Sequence, residues 1–470
     1  MHLKLPEGCQ DVKQLVQELI RFKQEYDWLL SNHAVDFFYC DFWNSKVPPD
    51  WHVLEECNTQ ELINLASFGE TKAGWPFTLQ EFVRKCKSLV LPRDPSISDL
   101  QDLINNSPEL DKLITYGSEK KKIEVQALAA IIHHFTINSE ATHIIDMGAG
   151  QGYLDACLAY QYNHTVVGVD DSTIQTCGAQ FNLNRIEKVL KKRADITGKV
   201  MHVNSRVEPG ELLADILGKI QGEENLRDII QDDQSWILCG LHTCGDLAST
   251  MLRQFTKGDA SALINVGCCY NHLSEECSKP PLLHQTETPK DYGFPMSKFI
   301  ESQGFTLGYS TRMTACQATC RWAYEYETSV ENFKKHSWRA MLQVVLTKSK
   351  CFKDIDPSTI TIGRLGRGAF KHGFKEYCIK AIQKLGLPYP TEDLDENTIN
   401  EVEELYSCKM FQVSVVWTLR AMMAEAIESL ILLDRVLFLE ESQSCKDIWL
   451  APIFKQLDSP RNMVIVATRK

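Results

Sequence analysis

Between Thr142 and Cys268 the apolar residues fall in short runs, HIIDMG, TVVGVD, MHVNSRV, SWILCGL and ALINVGC, separated by segments with helical spacing. Strands alternating with helices predict a parallel sheet covered on both faces, a doubly wound α/β domain. Just upstream, GSEKKKIEVQALAAIIHHF sets Ile123, Ala127, Leu128, Ile131, Ile132 and Phe135 on one helical face, which predicts a helix feeding the first strand. The first hundred residues keep helical spacing, as in DVKQLVQELIRF, interrupted by the aromatic HAVDFFYCDFW and the turn-forming VPPDW. From residue 274 the pattern is less regular and rich in proline, with MLQVVLTK reading as a strand. Near the end WTLRAMMAEAIESLILL predicts a helix, and DRVLFLEE and NMVIVATRK predict two strands that finish the sheet as a hairpin. These segments suggest a helical N-terminal region (1–115), an α/β core (116–275), an insertion or substrate-recognition region (276–408) and a C-terminal helix and hairpin that complete the core (409–470).

Composition narrows the class. With 44% hydrophobic and 24% charged residues, the 470-residue chain reads as globular rather than disordered. A formal net charge of -12 argues against a protein that coats nucleic acid without specificity, because phosphate binding is driven by Lys and Arg. The start, MHLKLPEGCQD, lacks a secretory pattern, so a cytoplasmic or nuclear location is expected, with the 17 cysteines mostly reduced thiols. The apolar run FQVSVVWTLRAMMAEAIESLILL is interrupted by Arg420, Glu425 and Glu428, so no membrane span is expected.

The most informative motif is IIDMGAGQGYL, a strand ending at Asp146 that passes through Gly148, Ala149, Gly150 and Gly152 into a helix. Glycines at this spacing let the backbone turn tightly and approach a ligand. A second strand ends in VVGVD, so Asp170 lies about twenty residues on, where a carboxylate can accept from ribose hydroxyls. A nicotinamide site shares this logic. The D-x-G-x-G-x-G spacing, however, resembles motif I of class I S-adenosylmethionine-dependent methyltransferases more than the dinucleotide G-x-G-x-x-G. The sulfonium of that cofactor also favours a nearby carboxylate, for which Asp146 is available.

IIDMGAGQGYL, GLHTCGDLA, VGCCYNHL and SPRNMVIVA, in this order, resemble the methyltransferase-like 25 family, whose 25B branch also carries a ribosomal RNA adenine dimethylase label. The resemblance covers the chain from Gly117 onward. It implies a Rossmann-like class I methyltransferase sheet, S-adenosylmethionine as cofactor, and a cofactor loop on Asp146, Gly148, Ala149, Gly150 and Gly152 with Asp170 after it. SEKKKIEV is similar to the family's S-P-K-K-x-H-E-V: Lys120, Lys121 and Glu124 match, and Lys121 joins the cofactor set. Glu119 and Ile123 stand where the family has Pro and His.

The target is less closely defined. Adenine-N6 methyltransferases usually end the fourth strand in an Asn- or Asp-Pro-Pro-aromatic motif that holds a flipped base, whereas this chain has CGLHTCGDL. GLHTCGDL and GCCYNHL are similar to a group of transfer-RNA ribose methyltransferases. RNA, at a base or a ribose hydroxyl, is therefore the expected substrate, with a protein methyltransferase and a non-catalytic cofactor-binding scaffold as alternatives. His242 and Asp246 are candidate bases for a hydroxyl, Asp246 being equally readable as a helix N-cap. Tyr270 and Asn271 follow the fifth strand, where they could face a substrate. Arg364, Arg367, Lys371 and Lys375, near Phe370, Phe374 and Tyr377, form a basic stretch that could grip RNA with some stacking, or a solvated helix face. No metal is expected: zinc needs about four ligands, and adjacent Cys268 and Cys269 in an extended strand point to opposite faces.

Overall fold

The computed structural model describes residues 1–31, 33–110, 118–190, 196–221, 234–276, 291–349, 365–385 and 396–470. By its internal packing the chain forms two units, one from Met1–Ile20, Leu89–Cys316 and Glu425–Lys470, the other from Arg21–Ser88 and Gln317–Ala424.

The first unit is built on one eight-stranded sheet. Its strands are β1 (His2–Leu3), β2 (His143–Met147), β3 (Thr165–Asp170), β4 (Lys199–Asn204), β5 (Trp236–Cys244), β6 (Ala262–Cys268), β7 (Cys445–Pro452) and β8 (Met463–Arg469), in the order β1-β7-β8-β6-β5-β2-β3-β4. β4, β3, β2, β5 and β6 run parallel, whereas β8 is antiparallel to both β6 and β7. This is the Rossmann-like class I methyltransferase arrangement, with the strand order reversing at β2, where open α/β sheets place ligands. The crossovers include α1 (Glu119–Asn138), α2 (Tyr153–Tyr160), α3 (Thr173–Leu190), α4 (Leu213–Gln221) and α5 (Asp246–Lys257), and α6 (Ala424–Glu441) precedes the hairpin. Val125, Leu128, Ile132 and Phe135 of α1, with Leu154 and Leu158 of α2, bury against Ile144, Val166, Ile237 and Ile264 of the strands. Burial of such residues stabilises the layer by roughly 1.5–3 kcal/mol each.

Two expected strands are helical. MLQVVLTK lies inside the helix Tyr326–Lys348 of the second unit, and DRVLFLEE is the last part of α6. In both, burial runs nearly all round the helix, so the apolar residues form a continuous run rich in Val and Leu that reads like a buried strand. The hairpin's first strand is instead CKDIWLAP, β7. The single helix expected through WTLRAMMAEAIESLILL is two, Met410–Met422 and α6, which belong to different units.

The second unit is helical, with Thr59–Phe68, Phe77–Ser88, Tyr326–Lys348 and Met410–Met422 among its elements. Tyr26, Trp51 and Phe82 pack together in its core, with centroids 4.8–6.2 Å apart. Among the described residues no helix is long and apolar enough to cross a membrane.

Candidate functional site

The turn after β2 is shaped by three left-handed glycines, with φ of 81° at Gly148, 57° at Gly150 and 70° at Gly152. The Gly148 and Ala149 amides donate to the Val169 carbonyl of β3, at 2.8 and 3.1 Å. The loop is thereby tied to the neighbouring strand end. There Asp170 accepts from the Gly150 amide (2.9 Å) and the Ser172 amide (2.9 Å), which fixes its carboxylate beside the loop.

Gly148, Asp170, Asp171, Ser205, Arg206, Cys244, Asp246, Leu247 and His272 border a cleft of about 330 Å³ at the C-terminal ends of the strands. Of the expected cofactor residues, Gly148 and Asp170 therefore line the cleft directly. Gly150 acts through Asp170. Gly152 leaves room for a buried ring, since a Cβ there would lie 2.5 Å from His202 Nε2. Lys121 places its ammonium 5.1 Å from the Tyr153 ring centroid, at the start of α2.

Asp146 departs from its expected role beside the sulfonium. It is buried at the end of β2, facing Asp155 of α2 rather than the cleft. His202 Nε2 of β4 lies 2.8 Å from Asp155 Oδ2, so two carboxyls and an imidazole form a buried row under the loop. Burial, followed by the repulsion of Asp155, holds the Asp146 carboxyl well above the usual carboxylate range, and burial raises Asp155 as well. Gly168 makes space for the row, because a Cβ on it would sit 2.4 Å from Asp155 Oδ2. Asp155 and His202 carried no motif; the one available signal was the recurrence of a polar residue in otherwise apolar segments.

His242 occupies a bulge. Leu241 pairs with Val266 and Thr243 with Gly267, leaving His242 as the extra residue on β5 with φ of 63°. Bulges of this kind re-aim a side chain and recur beside active sites. Here the imidazole, 31% exposed, turns toward α1, where its Nε2 lies 3.0 Å from Oε1 of Glu124, itself 2% exposed. Although burial pushes the Glu124 carboxyl up, His242, followed by Ser459 and Lys120, holds it below the usual range. Glu124 is thus a partner that sequence reasoning matched to a family motif without linking it to His242.

Asp246 is the first residue of α5 rather than its N-cap, which is Gly245. Its carboxylate accepts from the Ser274 amide at 2.8 Å, and burial raises it above the ordinary value.

Tyr270, expected to face a substrate, is 1% exposed. Its hydroxyl donates to Glu428 Oε1 at 2.8 Å, and Glu428 Oε2 accepts from Arg461 at 2.6 Å. The guanidinium carbons of Arg435 and Arg461 lie 5.7 and 5.6 Å from the ring centroid, so the phenol is a structural strut. Asn271 is half-buried and accepts from the Cys316 thiol at 3.3 Å.

Strand alternation does not hold Cys268 and Cys269 apart in this backbone. β6 ends at Cys268, and Cys269 adopts a left-handed conformation (φ 50°) that departs from strand alternation. Its sulfur lies 3.3 Å from that of Cys268 and 3.1 Å from that of Cys244.

In the second unit, the basic stretch has lost its stacking surface. Phe370, Phe374 and Tyr377 are buried around Trp338. Lys375 pairs with Glu396 at 2.6 Å and Lys380 with Glu376 at 3.1 Å, while Lys371 is exposed. Arg364 lies outside the described residues, as does the side chain of Arg367.

Comparison with known sequences agrees with the geometry. A family model described as a methyltransferase domain matches residues 120–276. The chain is similar to the Probable methyltransferase-like protein 25 of Mus musculus, at 24% identity covering 97% of this chain and 96% of that protein. It is similar to the Homo sapiens protein of the same name at 25% identity, covering 77% and 76%. A structure of the plantazolicin methyltransferase BpumL in complex with SAH aligns at 11% identity and a TM-score of 0.19, over 47% of this chain and 63% of that one.

The residues present fit S-adenosylmethionine, the cofactor of this domain. Asp170 keeps carboxylate lone pairs at the cleft, where ribose hydroxyls can donate to them. Gly148, lining the same wall, has no Cβ to obstruct the approach of a ligand to the backbone.

Proposed function

We propose that this chain, an S-adenosylmethionine-dependent methyltransferase of the methyltransferase-like 25 family, methylates a ribose hydroxyl of RNA. The observation that carries the reading is the His242 bulge. An amine nucleophile has its own lone pair and needs mainly alignment, whereas a hydroxyl gains from a base that takes its proton. Glu124 positions the imidazole by setting its carboxylate Oε1 3.0 Å from Nε2, which leaves Nδ1 as the basic nitrogen. The bound cofactor supplies an electrophilic methyl group on a sulfonium. The chain's own part is to hold the ribose edge of the cofactor at Asp170 and to keep a proton acceptor at the strand end.

The RNA half of the reading is supported by the likeness of GLHTCGDL and GCCYNHL to transfer-RNA ribose methyltransferases. These two segments end β5 and β6, and Cys244, Asp246 and His272 from them border the cleft. The basic stretch of the second unit lends less support than its composition suggested, because acidic neighbours hold two of its lysines.

The test is transfer of a labelled methyl group from S-adenosylmethionine into total RNA and total protein by the purified chain. Label is expected in RNA and absent with Gly148→Arg, which puts a long side chain at the cleft wall. Label in protein alone overturns the RNA reading.

A further inference from the structure

Three thiols converge where β5 and β6 end side by side. The strands run parallel with Cys244 opposite Cys268, and the left-handed turn at Cys269 brings the third sulfur to the same spot. The sulfur separations are 3.3 Å (Cys244–Cys268), 3.1 Å (Cys244–Cys269) and 3.3 Å (Cys268–Cys269). Among the described residues this is the one group of three or more Cys, His, Asp or Glu whose ligand atoms all lie within 4.8 Å of one another.

We propose that Cys244, Cys268 and Cys269 bind a thiophilic cation of the zinc type, with the fourth coordination position open at the cofactor cleft. Sulfur donors select such ions over magnesium or calcium, which take oxygen. Zinc–sulfur bonds of about 2.3 Å in a tetrahedron set the sulfurs ~3.8 Å apart. The thiols therefore need to separate by only about half an ångström to enclose the ion. Cys268 comes from the buried strand end, and Cys244 is exposed and lines the cleft, so the set is anchored on one side and open on the other. Three protein ligands with one open position are the arrangement of catalytic rather than structural zinc. His272, three residues after Cys269 and exposed on the cleft rim, is not among the side chains whose ligand atoms converge here, which leaves the fourth position open. The thiols lose their protons as the metal binds. This site stands independently of which substrate class the enzyme takes.

The full-length chain, stripped with a chelator under reducing conditions, is titrated with cobalt(II) and then zinc(II). The proposal expects one equivalent of cobalt with a thiolate-to-cobalt charge-transfer band that zinc displaces. Cys244→Ser and Cys269→Ser are each expected to weaken binding by at least ~10-fold, as loss of ligand support does at other metal sites. Cys177→Ser, an exposed cysteine on α3, leaves the titration unchanged. Circular dichroism melts of each variant separate lost binding from lost folding. If His272→Ala binds the metal as tightly as the native chain, the fourth position is open; a large loss closes it with histidine and overturns the open-site half. No charge-transfer band in the native chain, a band retained by the Cys244→Ser/Cys269→Ser double variant, or a disulfide among the three cysteines in freshly isolated protein overturns the site altogether.

Discussion

His242 and Glu124, 118 positions apart in sequence, meet with Nε2 3.0 Å from Oε1 because a single bulge on β5 turns the imidazole out of the strand toward α1. If this pair supplies the base, His242→Asn should lower kcat by ~10²-fold or more with cofactor binding unchanged. Asparagine tolerates the left-handed backbone, so folding is not the limiting concern. Glu124→Gln, which removes only the charge behind the imidazole, should lower kcat less than His242→Asn does. Equal loss of cofactor affinity in His242→Asn would make the histidine a wall of the binding site instead.

Asp170 joins the cofactor loop to the second strand, accepting from Gly150 and Ser172. Its replacement by Ala removes these charge-assisted bonds and the acceptor for the ribose. Calorimetric titration should show S-adenosylmethionine affinity reduced by ~10–100-fold, the worth of one bond to a charged group. An unchanged dissociation constant would place the adenosyl group elsewhere.

Tyr270 was expected to face a substrate and instead spans Glu428 and two arginines. Tyr270→Phe leaves Glu428 one donor short in a buried setting, so unfolding stability should fall by ~1–3 kcal/mol. Cofactor affinity and KM should stay near native values. A kcat defect with native stability would restore a catalytic role.

Gly168 and the buried row beneath the loop give a packing prediction. Gly168→Ala pushes a Cβ toward Asp155 and His202, at 2.4 and 2.7 Å, and should cost ~1–3 kcal/mol by overpacking. A thermal melt that matches native protein would mean that the row moves freely, and the loop above it would then lack a rigid base.

Asp434 in α6 sets a pH dependence. Burial raises its carboxyl to about 6, against hydrogen bonds from Ser297 and the Met296 amide that favour the charged form. A raised folded-state value means that the native state holds the proton more tightly. Its stabilising contribution is full below the ordinary value of 3.8 and is lost as pH rises through about 6. The stability of the native chain relative to Asp434→Asn should therefore decline across that window, by up to ~3 kcal/mol, and level off above it. A difference that grows with pH would contradict the assignment.

Much of this was legible in the residues. The five parallel strands, the glycine loop and Asp170 follow from local rules, because strand period, turn glycines and a strand-end acid are short-range signals. The helices that hold MLQVVLTK and DRVLFLEE were not, since a helix buried on every side loses the polar stripe that identifies it. Nor were the contacts made by non-local packing: Glu124 with His242, Tyr270 with Glu428, and Asp146 with Asp155. The cysteines mark a third limit. Strand alternation separates Cys268 from Cys269, and only the left-handed turn at Cys269, which no residue preference foretells, brings them together with Cys244.

Ribose methylation of RNA is decided by locating the transferred methyl group. RNA labelled by the purified enzyme is digested to nucleosides and separated by mass. Label is expected on the ribose 2′-oxygen, lost with His242→Asn while S-adenosylmethionine still binds. Label on the adenine N6 nitrogen, or no label in RNA at all, would contradict it.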